Sequence, residues 1–348
     1  MSFLIYGASG FTGALIVDLA VKKGLKPVIT GRSEAKIQSI AEKYGLDYLV
    51  FGLTNKDEIV KNLEEFPLVL NCAGPFTRTA KPLVEACLVS KTHYLDITGE
   101  IEVFELVKSY HKKALESKIV LMPGVGFDVV PTDCMADYLH TQLPDATHLE
   151  LAFANVGGSI SHGTMTTMLE GLGNTGAARE NGKIVPKPIG SKGKMIDFGQ
   201  LTHFAMTIPW GDVSTAHHTT GIPNIETYVG APRFAYFFMK LQFLFNPILR
   251  SSFIKKKLQN YVDKKITGPT ESQSQKGKSF IWGKVTNTEG KTVEGRLITP
   301  EGYKLTAEAS LLITQKILAL KDVAGYQTPA GLFGYGLITE IKDAAFEK

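Results

Sequence analysis

The chain opens with four apolar residues, Phe3, Leu4, Ile5 and Tyr6, that run directly into Gly7-Ala8-Ser9-Gly10-Phe11-Thr12-Gly13. An apolar run of strand length, a glycine turn and then helix-spaced apolar positions predict a strand, a tight turn and a helix over residues 12–23. The same alternation continues to about residue 125. Short apolar runs predict strands at 27–29, 48–51, 68–71, 94–97 and 119–122. Between them the 3.6-residue spacing predicts helices at 33–44, 55–66, 80–90 and 103–117; in the first of these Ile37, Ile40, Ala41 and Tyr44 fall on one face. Strands that are apolar on both faces, separated by helix-length segments, predict a parallel sheet covered on both sides, with right-handed crossovers.

The pattern changes near Leu143, where Pro144 and Asp145 mark a boundary. Leu149, Leu151 and Phe153 alternate with less apolar neighbours, as a half-buried strand does. A Ser- and Gly-rich stretch at 159–164 precedes a predicted helix at 165–178. Strand signals follow at 194–198, 203–208 and 226–229, interrupted by Pro186, Pro188, Pro209 and Pro223. A polar stretch at 267–278 predicts an exposed loop, and Phe280, Trp282 and Val285, a turn at 287–290, then Val293 and Leu297 predict a hairpin. A helix at 307–320 and a short Gly-rich helix near 325–334 complete the pattern.

The glycine turn carries the first chemical inference. Gly7 permits the sharp turn, Gly10 a close backbone approach to a pyrophosphate, and Gly13 the packing of helix on sheet, because none has a Cβ. The helix that follows offers free N–H groups and the positive end of its dipole to phosphates. In an NAD site the next strand usually ends in a carboxylate for the ribose hydroxyls. Here it ends Gly31-Arg32-Ser33, and a guanidinium suits a phosphate dianion, so NADP is the expected cofactor. The fold class expected is α/β: a Rossmann-like parallel sheet over residues 1–129, an inserted mixed α+β domain for substrate or dimerisation over 130–325, and a return of 326–348 to the nucleotide domain.

Ligands of such a sheet lie beyond the carboxyl ends of its strands. Candidate cofactor contacts are therefore Gly7, Ser9, Gly10, Phe11, Thr12 and Gly13, then Arg32 and Ser33, then Asn71, Gly74 and Pro75 as a wall beside ribose and ring. Candidate catalytic groups are Asp96 and Asp128, each just after a strand, and His162 in the second domain, a proton donor near neutral pH. An Asp in such a place also caps a following helix. His217 and His218 are adjacent and cannot share one helical face, and no metal site is expected.

Composition narrows the setting. Net charge is +4 from 38 basic and 34 acidic residues, too even to imply a nucleic-acid partner. Three cysteines fit no disulfide framework or metal spacing, and the expected compartment is the cytoplasm. No run of eighteen apolar residues predicts a spanning helix. Residues 234–265 concentrate aromatic residues ahead of Arg250, Lys255, Lys256, Lys257, Lys264 and Lys265. This segment reads as a peripheral membrane contact or the cover of an apolar substrate, with burial in a domain core or homodimer interface as the alternative.

On these motifs, together with Tyr94-Leu95-Asp96-Ile97-Thr98-Gly99-Glu100, Gly124-Val125-Gly126-Phe127-Asp128, Ser161-His162-Gly163-Thr164 and Thr328-Pro329-Ala330-Gly331, the chain resembles the saccharopine dehydrogenase-like superfamily, especially its NADP-binding oxidoreductases and trans-acting enoyl reductases. The resemblance implies a Rossmann domain closed by a mixed second domain, with the glycines and Arg32 at the cofactor. It implies an NADPH-dependent oxidoreductase of a carbon–carbon or carbon–nitrogen double bond, in a family whose substrates range from amino-acid intermediates to lipid-like compounds; the aromatic residues of 234–265 make a lipid-like substrate the expectation here. A dinucleotide-binding scaffold without turnover, or a membrane-associated interaction protein, is the alternative.

Overall fold

A computed structural model describes residues 2–157, 162–171, 173–265 and 277–347, and the chain divides into two compact units. The first comprises 1–128 and 303–329, the second 129–302 and 330–348.

The first unit is a seven-stranded sheet. Its strands β1 (Leu4–Tyr6), β2 (Val28–Gly31), β3 (Tyr48–Val50), β4 (Leu68–Asn71), β5 (His93–Asp96) and β6 (Val120–Met122) are short and almost wholly buried apart from β3. Every pairing is parallel, in the spatial order β6-β5-β4-β1-β2-β3 with Gly325–Tyr326 added beside β6. Strand order reverses at β1, between β2 and β4, which opens the crevice where such sheets take their ligands. Helices α1 (Phe11–Lys22), α2 (Glu34–Tyr44), α3 (Lys56–Leu63) and α4 (Phe76–Ser90) connect the first five strands. Leu4, Val69, Leu83, Val84, Val103, Val107 and Leu121 belong to one buried cluster, so the sheet's apolar runs are its core.

The chain re-enters this unit earlier, and leaves it sooner, than the expected return of 326–348. Residues 303–329 belong to the first unit: the Thr306 hydroxyl accepts from Phe127 N at 3.0 Å, and Gly325 N and Gln327 N donate to Ile119 O and Leu121 O. Residues 330–348 belong to the second, where Ala345–Phe346 pairs with Thr292–Pro300 and the Phe346 ring lies 4.4 Å from that of Tyr138. The compact units divide at 302/303 and 329/330, where the expected domains divided at 325/326.

The second unit is a mixed nine-stranded sheet. Ala146–Val156 runs parallel to Asn224–Gly230 and antiparallel to Lys278–Asn287, whose hairpin partner is Thr292–Pro300. The helix expected at 165–178 ends at Glu170, and Gly176–Glu180 is a strand paired with Lys183–Lys187. Gly173 has φ +82°, which breaks the helix, and Asn181-Gly182, both at positive φ, forms the hairpin turn. Much of the 159–164 turn and of the 267–278 loop lies outside the described residues.

Helix Val130–Gln142 packs on this sheet where two glycines face each other across the hairpin. A Cβ at Gly283 would stand 2.6 Å from Leu139 Cδ1 and Met135 Cγ, and one at Gly295 2.7 Å from Met135 Sδ. Replacing Gly283→Val is therefore expected to destabilise the protein by about 1–3 kcal/mol through overpacking, read as a lower denaturant midpoint with an unchanged slope.

Candidate functional site

The glycine turn is held too tightly for other residues. Gly7 has φ +86°, and a Cβ there would meet Ala73 N at 2.8 Å; a Cβ at Gly13 would stand 2.3 Å from Gly7 O. Gly7 N and Ala8 N both donate to Thr30 O, which ties the turn to the end of β2. Helix α1 begins after Gly10 with no side-chain cap and no acidic residue in its first turn, so its amino end suits an anion. Ser9 and Gly10 are exposed and Thr12 is half-buried. Phe11 turns its ring edge-on to Tyr303, centroids 5.1 Å apart. At the end of β2, Gly31 is buried, and Arg32 and Ser33 are exposed, with no carboxylate on the strand's end. This set fits a dinucleotide carrying an extra phosphate on its ribose.

Beyond β4 the wall is fixed from within. Asn71 is buried; its Nδ2 donates to Thr79 Oγ1 at 3.1 Å and to Tyr94 Oη at 3.2 Å, and its Oδ1 accepts from Ala73 N at 3.0 Å. Thr79 Oγ1 in turn donates to Ala73 O at 2.7 Å. Asn71, expected at the cofactor, therefore commits its amide to the loop and positions Ala73–Pro75, whose Gly74–Pro75 peptide is cis. Glu100 accepts from Phe76 N and Thr77 N, which anchors the amino end of α4.

Asp96 and Asp128, alike in sequence, differ in surroundings. Asp96 is fully buried and accepts from Tyr94 Oη at 2.7 Å, Thr98 N at 2.9 Å and Gly124 N at 3.0 Å. Burial raises its pKa to about 6 against the lowering by those donors. Those three bonds hold the carboxylate in place between the loops after β5 and β6. Asp128 is half-buried over Gly99, where a Cβ would stand 2.6 Å from its Oδ2. Burial, and then the charge of Glu100, raise its pKa to about 7. Among the described residues no donor hydrogen-bonds the Asp128 carboxylate.

His162 begins helix His162–Glu170 in the second unit, and its side chain lies outside the described residues. Thr79 and Thr306 were not anticipated. Neither has a local signal, since each acts by closing a hydrogen bond with a loop of another strand.

The sequence and the fold both have known counterparts. Residues 3–122 match the family model for the saccharopine dehydrogenase NADP binding domain. Over that stretch the chain is similar to that family. The matched domain is one that binds NADP, and the chain is similar to saccharopine dehydrogenase-like oxidoreductases. It is 28% identical over 219 residues to a rat saccharopine dehydrogenase-like oxidoreductase, covering 54% of this chain and 51% of that one. The alignment thus spans about half the length of these mammalian relatives. It is 26% identical to a lipid droplet localized protein of Caenorhabditis elegans, over 80% of this chain and 77% of the other. A Mycobacterium tuberculosis protein assigned as a trans-acting enoyl reductase is 29% identical over 49% of this chain and 43% of its own length. The saccharopine dehydrogenase (L-Glu forming) of Saccharomyces cerevisiae shares the fold, with a TM-score of 0.67 at 11% identity and full coverage of both chains.

Two outcomes are expected. Asp96→Ala strands three buried donors and is expected to cost roughly 2–4 kcal/mol, measured by chemical unfolding. Asp128 acts oppositely. Its folded pKa lies above the unfolded value, so the folded state binds more protons between about pH 4 and 7, and stability falls as pH rises through that window. Asp128→Asn is expected to flatten this fall, giving a higher melting temperature than the parent at pH 8 and no advantage below pH 4.

Proposed function

We propose that the chain is an NADPH-dependent reductase of a carbon–carbon or carbon–nitrogen double bond in a lipid-like substrate, with Asp128 as the proton donor. Asp128 carries the reading: its carboxyl lies over Gly99 in the turn after β5, no donor among the described residues bonds it, and burial pushes its pKa up to about 7. Gly7, Gly10 and Gly13 with the amino end of α1 would hold the pyrophosphate, and Arg32 and Ser33 the ribose phosphate. The backbone of Ala73–Pro75 would bound the ring. Bound there, NADPH would supply the two electrons and one hydrogen of the reduction as a hydride, leaving NADP⁺. Asp128 supplies the second hydrogen as a proton to the neighbouring atom of the double bond. The carboxylate left behind faces Glu100, and that repulsion favours recovery of a proton from solvent. The lipid-like substrate is supported by the enoyl reductase and lipid droplet relatives.

Oxidation of NADPH, followed by absorbance with a panel of 2-enoyl thioesters and cyclic imines, tests the reaction. Asp128→Asn is expected to lower kcat by about 100-fold or more with NADPH affinity unchanged. In the parent, kcat/KM should fall above pH 7. NADPH binding without turnover across the panel would leave a scaffold and overturn the proposal. Arg32→Ala is expected to weaken NADPH by about tenfold and leave NADH almost unaffected, measured by calorimetry; equal losses for both cofactors would remove Arg32 from the phosphate.

A further inference from the structure

Three consecutive helices of the second unit, Arg233–Lys240, Gln242–Leu249 and Ser252–Lys265, reverse the usual burial pattern. Phe234, Phe237, Phe238 and Leu241 recur at the spacing of one helical face, and that face points to solvent: Phe234 is 76% exposed and Phe237 67%. The opposite face holds the helix down. Tyr236 packs edge-on to Phe204 at 5.2 Å, and Met239 Cβ lies against Gly190. The second helix exposes Phe243, Leu244 and Ile248. The third buries Val262 and bonds Gln259 Nε2 to Thr166 Oγ1, while Phe253, 72% exposed, shares its outward side with Lys256, Lys257 and Tyr261.

Charge on this segment is one-sided. Residues 233–265 contain eight basic residues, Arg233, Lys240, Arg250, Lys255, Lys256, Lys257, Lys264 and Lys265, against one acidic residue, Asp263, whereas the whole chain has 38 basic and 34 acidic residues. Among the described residues no helix is long and apolar enough to cross a membrane. Exposed aromatic rings beside cations on short helices have the chemistry of structures that lie within the headgroup and acyl boundary of a membrane. A second copy is a poor occupant, because two-fold pairing would set this strongly basic segment against itself.

We propose that this face docks on a phospholipid surface with anionic headgroups. Phe234, Phe237, Phe238, Phe243 and Phe253 enter the acyl boundary, while Arg250, Lys256 and Lys257 meet headgroup phosphates. The docking stands on observations separate from the proposed reaction, and its test uses no turnover.

The full chain is sedimented with vesicles of phosphatidylcholine alone and of phosphatidylcholine with phosphatidylserine, at low and high salt. Binding to the phosphatidylserine vesicles is expected, with Lys256→Glu/Lys257→Glu weakening it at least about tenfold and high salt acting in the same direction. Phe237→Ser/Phe238→Ser is expected to abolish it with NADPH affinity and melting temperature retained, since both side chains are exposed. Tryptophan fluorescence of Phe243→Trp should shift to shorter wavelength on adding those vesicles. Failure to bind either vesicle, or binding indifferent to both double variants, overturns the proposal. So does a lipid-free dimer in sedimentation velocity that Phe237→Ser/Phe238→Ser dissociates, because the face would then be covered by a second copy.

Discussion

The buried carboxylate of Asp96 is the constraint on which the crevice depends. A carboxyl group is costly to bury without hydrogen bonds, and Asp96 meets that cost with donors from three places: a tyrosine on its own strand, the turn that follows, and the turn after β6. Tyr94 continues the chain of bonds to Asn71, and Asn71 to the loop after β4. The ends of β4, β5 and β6 are therefore set relative to one another by polar bonds as well as by the ladder. Moving any one loop would leave donors unpaired in the interior.

The same network sets the surroundings of Asp96 apart from those of Asp128. Asp96 and Asp128 both have pKa values raised by burial, yet only Asp96 is surrounded by donors. Glu100 has a place in both environments. Its oxygens bond the first N–H groups of α4, and its charge raises Asp128. The residue that anchors the amino end of α4 thus adds its charge to the burial that raises the Asp128 pKa.

The second unit shows a different balance. Its sheet core follows the ordinary rule, with Ala152, Phe198, Tyr228 and Trp282 buried together. Its three helices over 233–265 instead turn large apolar side chains outward, where burying them against an apolar phase would be favourable. Their anchors on the inner side, Tyr236 and Val262, show that the exposure is a feature of folded helices.

Local sterics made much of this protein readable from its sequence. Gly7 and Gly13 have their roles because a Cβ would collide within a few residues or with the adjacent strand, and Arg32 is placed by its distance from that turn. The β–α alternation was legible for the same reason, since each element's apolar period is written in its own residues. Asn181-Gly182 also carried a hairpin signal that the helical spacing of 165–178 obscured. Tertiary structure decided what depends on distant partners. Thr306 reaches Phe127 from 179 residues away, and Tyr326 completes the sheet beside β6, so no local pattern marks where the chain re-enters the first unit. Asp96 and Asp128 could not be told apart as two acids after two strands, because what separates them is which N–H and O–H groups the folded loops bring to each carboxylate. The aromatic residues of 233–265 likewise had either burial or exposure open to them, and the packing of Tyr236 on Phe204 fixed which face turned outward.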